Sequence, residues 1–352
     1  MRLVGRASAL RVLLAFTVLL SGCGAGSLTP RSGLASLSLT DATSNSAGLL
    51  KPIRDPSLIR VGSTYFLFVT DHPAWTGSLP ILCSADAASW KQCGSVFPSV
   101  PSWITRKLPG VVNLWAPDIS FFNGVFHVYY TASLAYTENT LVGLATNVTL
   151  DPADPRYRWV DRGSVLESHT GDDINVLDPN VLVDLEGRVW LSFGSYWGGI
   201  AQRELDPSTG LLRDPASAPL FRLAARPDVP EHPIEGSSQL FHNGFYFLFV
   251  SIDFCCRPVL SQNDYKMAVG RSSSPHGPFL ALDGKPMLQG GSTVILGGDT
   301  THWMGVGGGT VYNDPRSDTT EIVFHAQAVS GNGDASLWLK KVRWVDDWPV
   351  LD

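Results

Sequence analysis

The chain has 352 residues and a formal net charge of −6, and charged residues make up only 16% of it, against about 25% in an average soluble protein. The 44% hydrophobic content excludes disorder, and the low charge excludes a coiled coil. The acidic balance also argues against a nucleic-acid partner, because such proteins are usually basic. Eleven tryptophans, 34 glycines and 24 prolines indicate a turn-rich globular chain, either one large β domain or two smaller domains.

The first residues are typical of an export signal. Three arginines precede an apolar run over 12–20, which is too short to span a bilayer. The run ends in Leu-Ser-Gly-Cys at 20–23, which resembles the lipobox of bacterial lipoproteins. We therefore expect a lipoprotein signal peptide over 1–22 and a lipid anchor at Cys23, which would make the protein a bacterial cell-envelope lipoprotein. An ordinary secretory signal with an incidental cysteine is the alternative.

A stretch with little charge follows the signal. Residues 23–48 are rich in Ser, Gly, Ala and Thr, which is typical of a flexible tether. The folded part is then expected over 49–352, as a monomer. After the tether and the signal are removed, the remaining length suffices for one domain and leaves no room for a second.

Four cysteines lie in the expected folded part. Export permits disulfides, and four cysteines allow three pairings. The most local pairing joins Cys83 to Cys93 and Cys255 to Cys256, and a disulfide between adjacent cysteines would force an unusual turn. A metal site is the alternative, but no histidine spacing around these cysteines suggests zinc.

One pattern recurs five times beyond the tether: a short strand, a tight turn and an aromatic-rich strand. The turn glycines are Gly62, Gly124, Gly187 and Gly244, at separations of 62, 63 and 57 residues, and a fifth turn lies near Asp314. Asn-Gly between apolar runs is a strong hairpin signal. Each repeat is long enough for about four strands, so the period predicts an all-β, five-bladed β-propeller. A β-sandwich or jelly roll with coincidental spacing is the alternative.

Acidic residues stand at the head of the first strand in four repeats: Asp55, Asp118, Asp178 and Glu235. If the hairpins are the inner strands of the blades, these four residues would ring one mouth of the central channel. Like charges at close range raise at least one pKa, and carboxylates with separated pKa values suit acid–base cleavage of a glycosidic bond. Any single Asp could instead serve the turn, and the Trp-Ala-Pro-Asp context favours a structural role for Asp118 in particular.

The ordered motifs resemble glycoside hydrolase family 43, and within it the endo-1,5-α-L-arabinanases. The resemblance runs over about residues 50 to 350, and Cys-Cys-Arg at 255–257 leans toward arabinanases. The other motifs are Arg-Asp-Pro-Ser at 54–57, Leu-Trp-Ala-Pro-Asp-Ile at 114–119, Asn-Val-Leu-Asp-Pro-Asn at 175–180, Gly-Ser-Tyr-Trp-Gly-Gly-Ile at 194–200 and Ile-Glu-Gly at 234–236.

The resemblance implies a five-bladed enzyme that cleaves α-1,5-linked arabinan with inversion. By motif, Asp55 would be the general base that activates water and Glu235 the general acid. Asp178 would orient Glu235 and keep its pKa raised. Trp115 would stack on the sugar at the cleavage site, and Gly198 with Gly199 would let backbone approach a ligand closely. The other expected substrate contacts are Asp118, Asn175, Ser195, Tyr196 and Trp197.

The chain departs from the family at one place. Arabinanases commonly carry Gly-Pro-Gly-His, whose histidine faces a metal ion, usually calcium, in the channel. Here the stretch is Gly-Val-Gly-Gly-Gly at 305–309, with Gly308 at the histidine position. His302 or His325 could compensate as a calcium ligand, although His325 could instead be a packed core histidine. Calcium is the only cofactor that the resemblance implies.

Three functions remain open at this point. The first is an exported, lipid-anchored, endo-acting arabinan hydrolase. The second is an exo-acting α-L-arabinofuranosidase or β-xylosidase of the same family, in which blade loops would block one end of the groove. The third is a non-catalytic glycan-binding propeller at the cell surface. The presence of all three motif carboxylates argues against the third.

Overall fold

The computed structural model of the protein describes residues 50–257, 259–299, 301–314, 316–330 and 333–351. The predicted signal peptide, the tether and Cys23 lie outside the described residues. Within the described part of the chain, no helix is long and apolar enough to cross a membrane.

Twenty strands form five antiparallel sheets of four strands each in the described residues, and every sheet uses consecutive strands. Blade 1 contains β1 (Ser57–Val61), β2 (Thr64–Phe68), β3 (Ser78–Ser84) and β4 (Lys91–Phe97). Blade 2 contains β5 (Trp115–Phe122), β6 (Val125–Ser133), β7 (Thr140–Asn147) and β8 (Val160–Ser168). Blade 3 contains β9 (Asn180–Val183), β10 (Val189–Phe193), β11 (Ile200–Leu205) and β12 (Phe221–Ala224).

The last two blades follow the same plan. Blade 4 contains β13 (Ile234–His242), β14 (Phe245–Ile252), β15 (Lys266–Ser272) and β16 (Thr293–Gly297). Blade 5 contains β17 (Trp303–Asp314), β18 (Thr319–Ala328), β19 (Ala335–Val345) and β20 (Trp348–Leu351). One α-helix, α1 (Ser102–Lys107), and 3-10 turns at Leu260–Gln262 and Met287–Gln289 lie between strands.

The first strands of the blades form a closed ring. β1 contacts β5, β5 contacts β9, β9 contacts β13, β13 contacts β17, and β17 returns to β1. The predicted five-bladed propeller is therefore confirmed, and the predicted hairpins are the two inner strands of each blade. At two of the turns, both central residues have positive φ, as type I′ hairpin turns require: Asn123 and Gly124, and Asn243 and Gly244.

Aromatic side chains fill the space between blades. Phe68 of blade 1 packs with Tyr130 and Val128 of blade 2, and Phe249 of blade 4 packs with Phe324 of blade 5. All five of these side chains are shielded from solvent. Complete burial of one such side chain contributes about 1.5–3 kcal/mol, which explains why the sequence combines many aromatics with little charge.

The ends of the chain close the ring through backbone pairing. The Ile53 amide donates to the Ala335 carbonyl at 2.8 Å, and the Leu337 amide donates to the Leu50 carbonyl at 2.7 Å. An ion pair of 2.5 Å between Arg60 and Asp314 joins the first and last inner strands. These contacts hold blade 5 against blade 1. They do so although the two blades share no strand, since all four strands of blade 5 are consecutive in sequence.

The structure contains the most local cysteine pairing. Cys83 bonds to Cys93 across β3 and β4, at a Cα–Cα distance of 5.8 Å. Cys255 bonds to its neighbour Cys256 in the segment after β14.

Asp118 joins three blades. Its carboxylate accepts from the Asn180 side chain at 2.8 Å and the Val181 amide at 3.0 Å, both in blade 3, and from the Ser57 hydroxyl of blade 1 at 3.5 Å. The residue is 3% exposed, and burial raises the pKa of its carboxyl to about 6 in spite of these hydrogen bonds. Asp118 therefore has a structural role, because its hydrogen bonds hold the first strands of three blades together.

Asp118→Ala should lower the free energy of unfolding by about 2–4 kcal/mol, because it leaves the Asn180 amide and the Val181 N–H buried without an acceptor. Urea denaturation at pH 7 measures the change. Asp228→Ala, at an exposed position, serves as the control and should stay within about 0.5 kcal/mol of the parent. Equal stability of the two variants would show that Asp118 does not tie the blades.

Candidate active site

The channel mouth is built from one backbone feature that recurs in every blade. Just before or within each first strand, the residue at an equivalent position adopts a left-handed conformation, with φ between 42° and 58°: Asp55, Ala116, Asp178, Gly236 and Gly308. Strand pairing shifts register across this residue in β5, β13 and β17. We call these five residues the mouth ring. All five line a single cavity of about 30 Å³, which has room for about one or two water molecules.

The backbone amide of each mouth-ring residue is held by a side chain of the preceding blade. The Asp55 amide donates to His325, the Ala116 amide to Thr70, the Asp178 amide to Thr131, the Gly236 amide to Asp178 and the Gly308 amide to Ser251. Four of these acceptors belong to equivalent positions near the end of each second strand: Thr70, Thr131, Ser251 and His325. In blade 3 that position is Gly194, and Asp178 takes its place as acceptor.

The mouth ring corrects the prediction of four equivalent carboxylates. Only Asp55 and Asp178 occupy the ring position. Asp118 lies two residues beyond Ala116 and is buried between strands, and Glu235 lies one residue before Gly236. The prediction compared the repeats at the start of their first strands. The equivalent position is instead the left-handed residue, which is not at a constant distance from the first apolar residue.

Asp55 is held at both its backbone and its carboxylate. Thr70 donates its hydroxyl proton to Oδ2 at 2.6 Å. The same hydroxyl oxygen accepts from the Ala116 amide at 2.8 Å, which orients the hydroxyl group so that its proton points to Asp55. The side chain is 30% exposed, yet the blades around it exclude enough water to raise its pKa. The Thr70 hydrogen bond and the charge of Arg54 oppose that rise.

Glu235 receives a hydrogen bond at each carboxylate oxygen. Ser195 donates to Oε2 at 2.7 Å, and Tyr265 donates to Oε1 at 2.8 Å. Enclosure raises the pKa of Glu235, the two hydroxyls lower it, and the nearby Asp55 charge raises it again. Tyr265 and Thr70 were not predicted, because both lie outside the motifs. Their local sequence does not indicate a partner in another strand or blade.

Asp178 is electrostatically linked to both other carboxylates. It accepts from the Gly236 amide at 3.1 Å, and its pKa is raised well above the ordinary range by burial and by the charges of Glu235 and Asp55. Repulsion between neighbouring carboxylates favours retention of a proton within the group. Such a proton is what acid–base chemistry requires.

Aromatic residues expected to contact sugar lie on two blades near the carboxylates. Trp115, half-buried, occupies the position directly before the mouth ring in blade 2, as Glu235 does in blade 4. Tyr196 and Trp197 both have left-handed backbone, and their rings contact at 6.4 Å. Trp197 is 38% exposed, and Tyr196 also contacts Phe254 at 6.5 Å.

Three other predicted substrate contacts are turned into the protein. Asn175 is buried and accepts from the hydroxyls of Thr140 and Ser168. Ser195 is buried and donates to Glu235, and Asp118 is the tie between blades described above. Oxygen atoms of all three side chains already have partners within the protein, and their direct contact with a sugar stays a prediction.

The adjacent glycines also have a different purpose from the one predicted. A Cβ on Gly198 would lie 2.2 Å from the Asp173 carbonyl oxygen, and one on Gly199 would lie 2.2 Å from that of Ala224. Their small size admits the protein's own backbone and fixes the loop that carries Tyr196 and Trp197.

The calcium site that the resemblance implies stays a prediction. Among the described residues, no group of three or more His, Cys, Asp or Glu side chains is arranged to hold a metal ion. His302 lies on an exposed turn and pairs with Asp299 at 2.9 Å. A Cβ on Gly308 would lie only 2.5 Å from the His325 ring and 2.6 Å from Asp55.

His325 instead belongs to the support of Asp55. It is 1% exposed, and burial lowers its pKa to about 3, so the ring is neutral. Its Nδ1 accepts from the Asp55 amide at 3.2 Å, which places the proton on Nε2. His325 is therefore a packed, hydrogen-bonded histidine, which was the predicted alternative to a calcium ligand.

Comparison with known proteins identifies the family. The family model described as glycosyl hydrolases family 43 matches residues 50–349. The extracellular endo-α-(1→5)-L-arabinanase 1 of Bacillus subtilis (strain 168) is 35% identical over 298 residues, which cover 84% of this chain and 87% of the relative. The extracellular exo-α-(1→5)-L-arabinofuranosidase ArbA of Cellvibrio japonicus (strain Ueda107) is 32% identical over 309 residues, 85% of this chain and 86% of the relative.

Solved structures show the same relationship. The Cellvibrio cellulosa α-L-arabinanase complexed with arabinohexaose has a TM-score of 0.78 and 32% identity, covering 85% of this chain and 95% of that chain. The family 43 endo-arabinanase of Bacillus licheniformis has a TM-score of 0.76 and 34% identity, covering 85% and 97%. With the family model matching nearly all of the described residues, the chain belongs to glycosyl hydrolases family 43.

Proposed function

We propose that the protein is an endo-acting arabinanase that hydrolyses α-1,5-linked arabinan with inversion of configuration. The observation that carries the proposal is the convergence of Asp55, Asp178 and Glu235 at one channel mouth, with raised pKa values and neutral hydrogen-bond partners. The names of the Bacillus relatives support arabinan as the substrate and endo action as the mode.

Asp55 acts as the general base. Its ionised carboxylate takes a proton from the attacking water, which adds to the anomeric carbon on the face opposite the leaving group. The hydrogen bond from the Thr70 hydroxyl fixes Oδ2 of Asp55. The neutral His325 ring accepts from the backbone amide of Asp55 and adds no charge to the site. The raised pKa of Asp55 makes it a stronger base than an ordinary aspartate.

Glu235 acts as the general acid. It gives its proton to the leaving sugar oxygen and becomes a carboxylate, which then accepts from the hydroxyls of Ser195 and Tyr265. These hydrogen bonds stabilise the charge that develops on Glu235 as the bond breaks. Before transfer, the nearby negative charge of Asp55 favours the protonated form of Glu235.

The aromatic residues account for recognition of a neutral polymer. Trp115, Tyr196 and Trp197 offer ring faces that suit the C–H faces of a furanose. No net charge is needed to attract such a substrate, which agrees with the low charge of the chain.

Export and anchoring complete the proposal. The relatives from Bacillus subtilis and Cellvibrio japonicus are both named extracellular, which supports export of this chain. We propose further that Cys23 is lipidated and holds the enzyme at the cell envelope. Labelled palmitate should enter the full-length precursor and not its Cys23→Ala variant; equal labelling of both would refute the anchor.

Products from linear arabinan test the mode of action. An endo enzyme should release a mixture of oligosaccharides early in digestion, because it cleaves at internal linkages. Chromatography of the first few per cent of conversion measures this. Release of a single small product from the start would contradict endo action and favour the exo mode of the Cellvibrio japonicus relative.

Glu235→Gln and Asp55→Asn should each reduce kcat on linear arabinan by about 10²–10⁴-fold, because each removes a proton transfer. A nitrophenyl arabino-oligosaccharide separates the two roles, since nitrophenolate leaves without protonation. On that substrate Glu235→Gln should recover most of its rate, whereas Asp55→Asn should stay slow. Equal losses on both substrates for Glu235→Gln would contradict its role as the acid.

Tyr265→Phe should lower kcat on arabinan about tenfold with little change in KM, because the Glu235 carboxylate loses one of its two donors. The hydrogen bond from Tyr265 lowers the pKa of Glu235, so its removal should raise that pKa. The basic limb of the kcat–pH profile should then move to higher pH, since Glu235 keeps its proton longer. A Tyr246→Phe variant, in which the removed hydroxyl accepts from the Leu185 amide elsewhere in the fold, serves as the control and should leave the limb in place. An unmoved limb in Tyr265→Phe would refute the contact.

A further inference from the structure

A disulfide between adjacent residues lies beside the proposed base. In the segment after β14, Cys256 is exposed and its Sγ accepts from Arg54 Nη1 at 2.9 Å. The other nitrogen of the same guanidinium, Nη2, donates to the Gly333 carbonyl at 3.4 Å. Arg54 immediately precedes Asp55, so the sulfur helps to fix the chain from which the base projects.

The same segment is fastened to the partner of the proposed acid. The Phe254 amide donates to Asp264 at 2.9 Å, and the Tyr265 amide donates to the Phe254 carbonyl at 3.1 Å. The Arg257 amide donates to the Asn263 side chain at 2.8 Å. The backbone on both sides of the two cysteines is therefore held against 263–265, where Tyr265 donates its hydroxyl to Glu235.

The disulfide fixes the short stretch between these fastenings. Cys256 has φ of 64°, a conformation that costs a residue with a side chain about 1 kcal/mol or more unless its surroundings enforce it. Arg257, the next residue, lies over the Phe254 ring at 4.1 Å and pairs with Glu231 through both carboxylate oxygens. The covalent ring of Cys255 and Cys256 lies between these two held residues, Phe254 and Arg257.

We propose that the Cys255–Cys256 disulfide is a positioning element that links the base side of the site, through Arg54, to the acid side, through Tyr265. The proposal deepens the function proposed above and rests on it. Reduction by a dithiol breaks the S–S bond, adds two electrons and two protons to form two cysteine thiols, and converts the reagent to its cyclic disulfide. Cys256 can then leave the left-handed conformation, and Arg54 loses its sulfur acceptor.

Loss of this link should act on turnover more than on binding. Arg54 adjoins the residue that activates water, and the 263–265 segment carries the hydroxyl that serves Glu235. A displacement of about 1 Å at reacting groups can cost up to about 10²-fold in rate. We expect a fall in kcat of about tenfold and a change in KM of less than about threefold.

Two double variants isolate the disulfide in the full-length protein. Cys83→Ser with Cys93→Ser leaves only the vicinal pair, and Cys255→Ser with Cys256→Ser leaves only the distant one. Dithiothreitol should lower kcat of the first variant about tenfold, reversibly on reoxidation, and should leave the already slow second variant unchanged. Thiol titration verifies the redox state, and circular dichroism verifies that each protein is folded.

An Arg54→Lys variant tests the path of the effect, because lysine cannot reach both acceptors in the same geometry. Reduction should slow this variant less than it slows the parent, since the link through Arg54 is already broken. A full, additive loss would contradict a role through Arg54. If the reduced Cys83→Ser, Cys93→Ser protein keeps kcat within twofold while the thiols of Cys255 and Cys256 titrate as free, the proposal is overturned.

Hydrogen exchange gives a readout that does not depend on hydrolysis. Reduction should speed amide exchange in peptides that cover 253–265, while peptides of blade 2 remain unchanged. Unchanged exchange in 253–265 would overturn the proposal even if no substrate were found. Absence of arabinan hydrolysis by the oxidised parent would instead count against the proposed function, so the two failures are distinguishable.

Discussion

The active site depends on one repeated hydrogen bond, from the backbone amide of each mouth-ring residue to a side chain of the preceding blade. A left-handed residue with a side chain is unfavourable by about 1 kcal/mol or more, and three of the five ring positions carry one. In those three positions the amide donates to His325, Thr70 or Thr131. The same contact that stabilises the bent backbone also joins adjacent blades, so closure of the propeller and the placement of Asp55 and Asp178 have one cause.

Residue types around the ring then create the asymmetry that chemistry requires. Two positions carry aspartate and three carry only alanine or glycine, which leaves the small cavity between them. Glu235 occupies the position just before the ring and is not among the residues that line the cavity. A symmetrical ring of carboxylates would repel itself, whereas this arrangement separates the protonation of the three groups through different partners. Asp55 has a threonine and a neighbouring arginine, Glu235 has two hydroxyls, and Asp178 has a backbone amide.

The sequence was sufficient to predict the elements whose signals are local. Asn-Gly turns between aromatic runs predicted the hairpins and their period, and the ordered motifs predicted the family and the three carboxylates that meet. Asp118 was misplaced because a strand head read from hydrophobicity is two residues out of phase with the left-handed residue. Tyr265, Thr70 and the support role of Ser195 could not be predicted, because each is defined by a partner far away in sequence. A side chain that can accept a hydrogen bond recurs near the end of the second strand in four of the five blades. This recurrence is visible in the sequence, but its role becomes clear only when the backbone amide that it binds in the next blade is known.

The glycine stretch at 305–309 shows how a departure from the family pattern can be understood within this site. A Cβ on Gly307 would lie 2.3 Å from the ring of Tyr265, and one on Gly308 would lie 2.5 Å from the ring of His325. The first of these rings serves Glu235 and the second serves the backbone of Asp55. Glycine at both positions therefore gives space to the supports of the acid and the base at once. A histidine at 308 could be accommodated only if His325 and Asp55 moved apart, so the loss of the family's usual ion ligand and the close contact between His325 and Asp55 are two aspects of one packing arrangement.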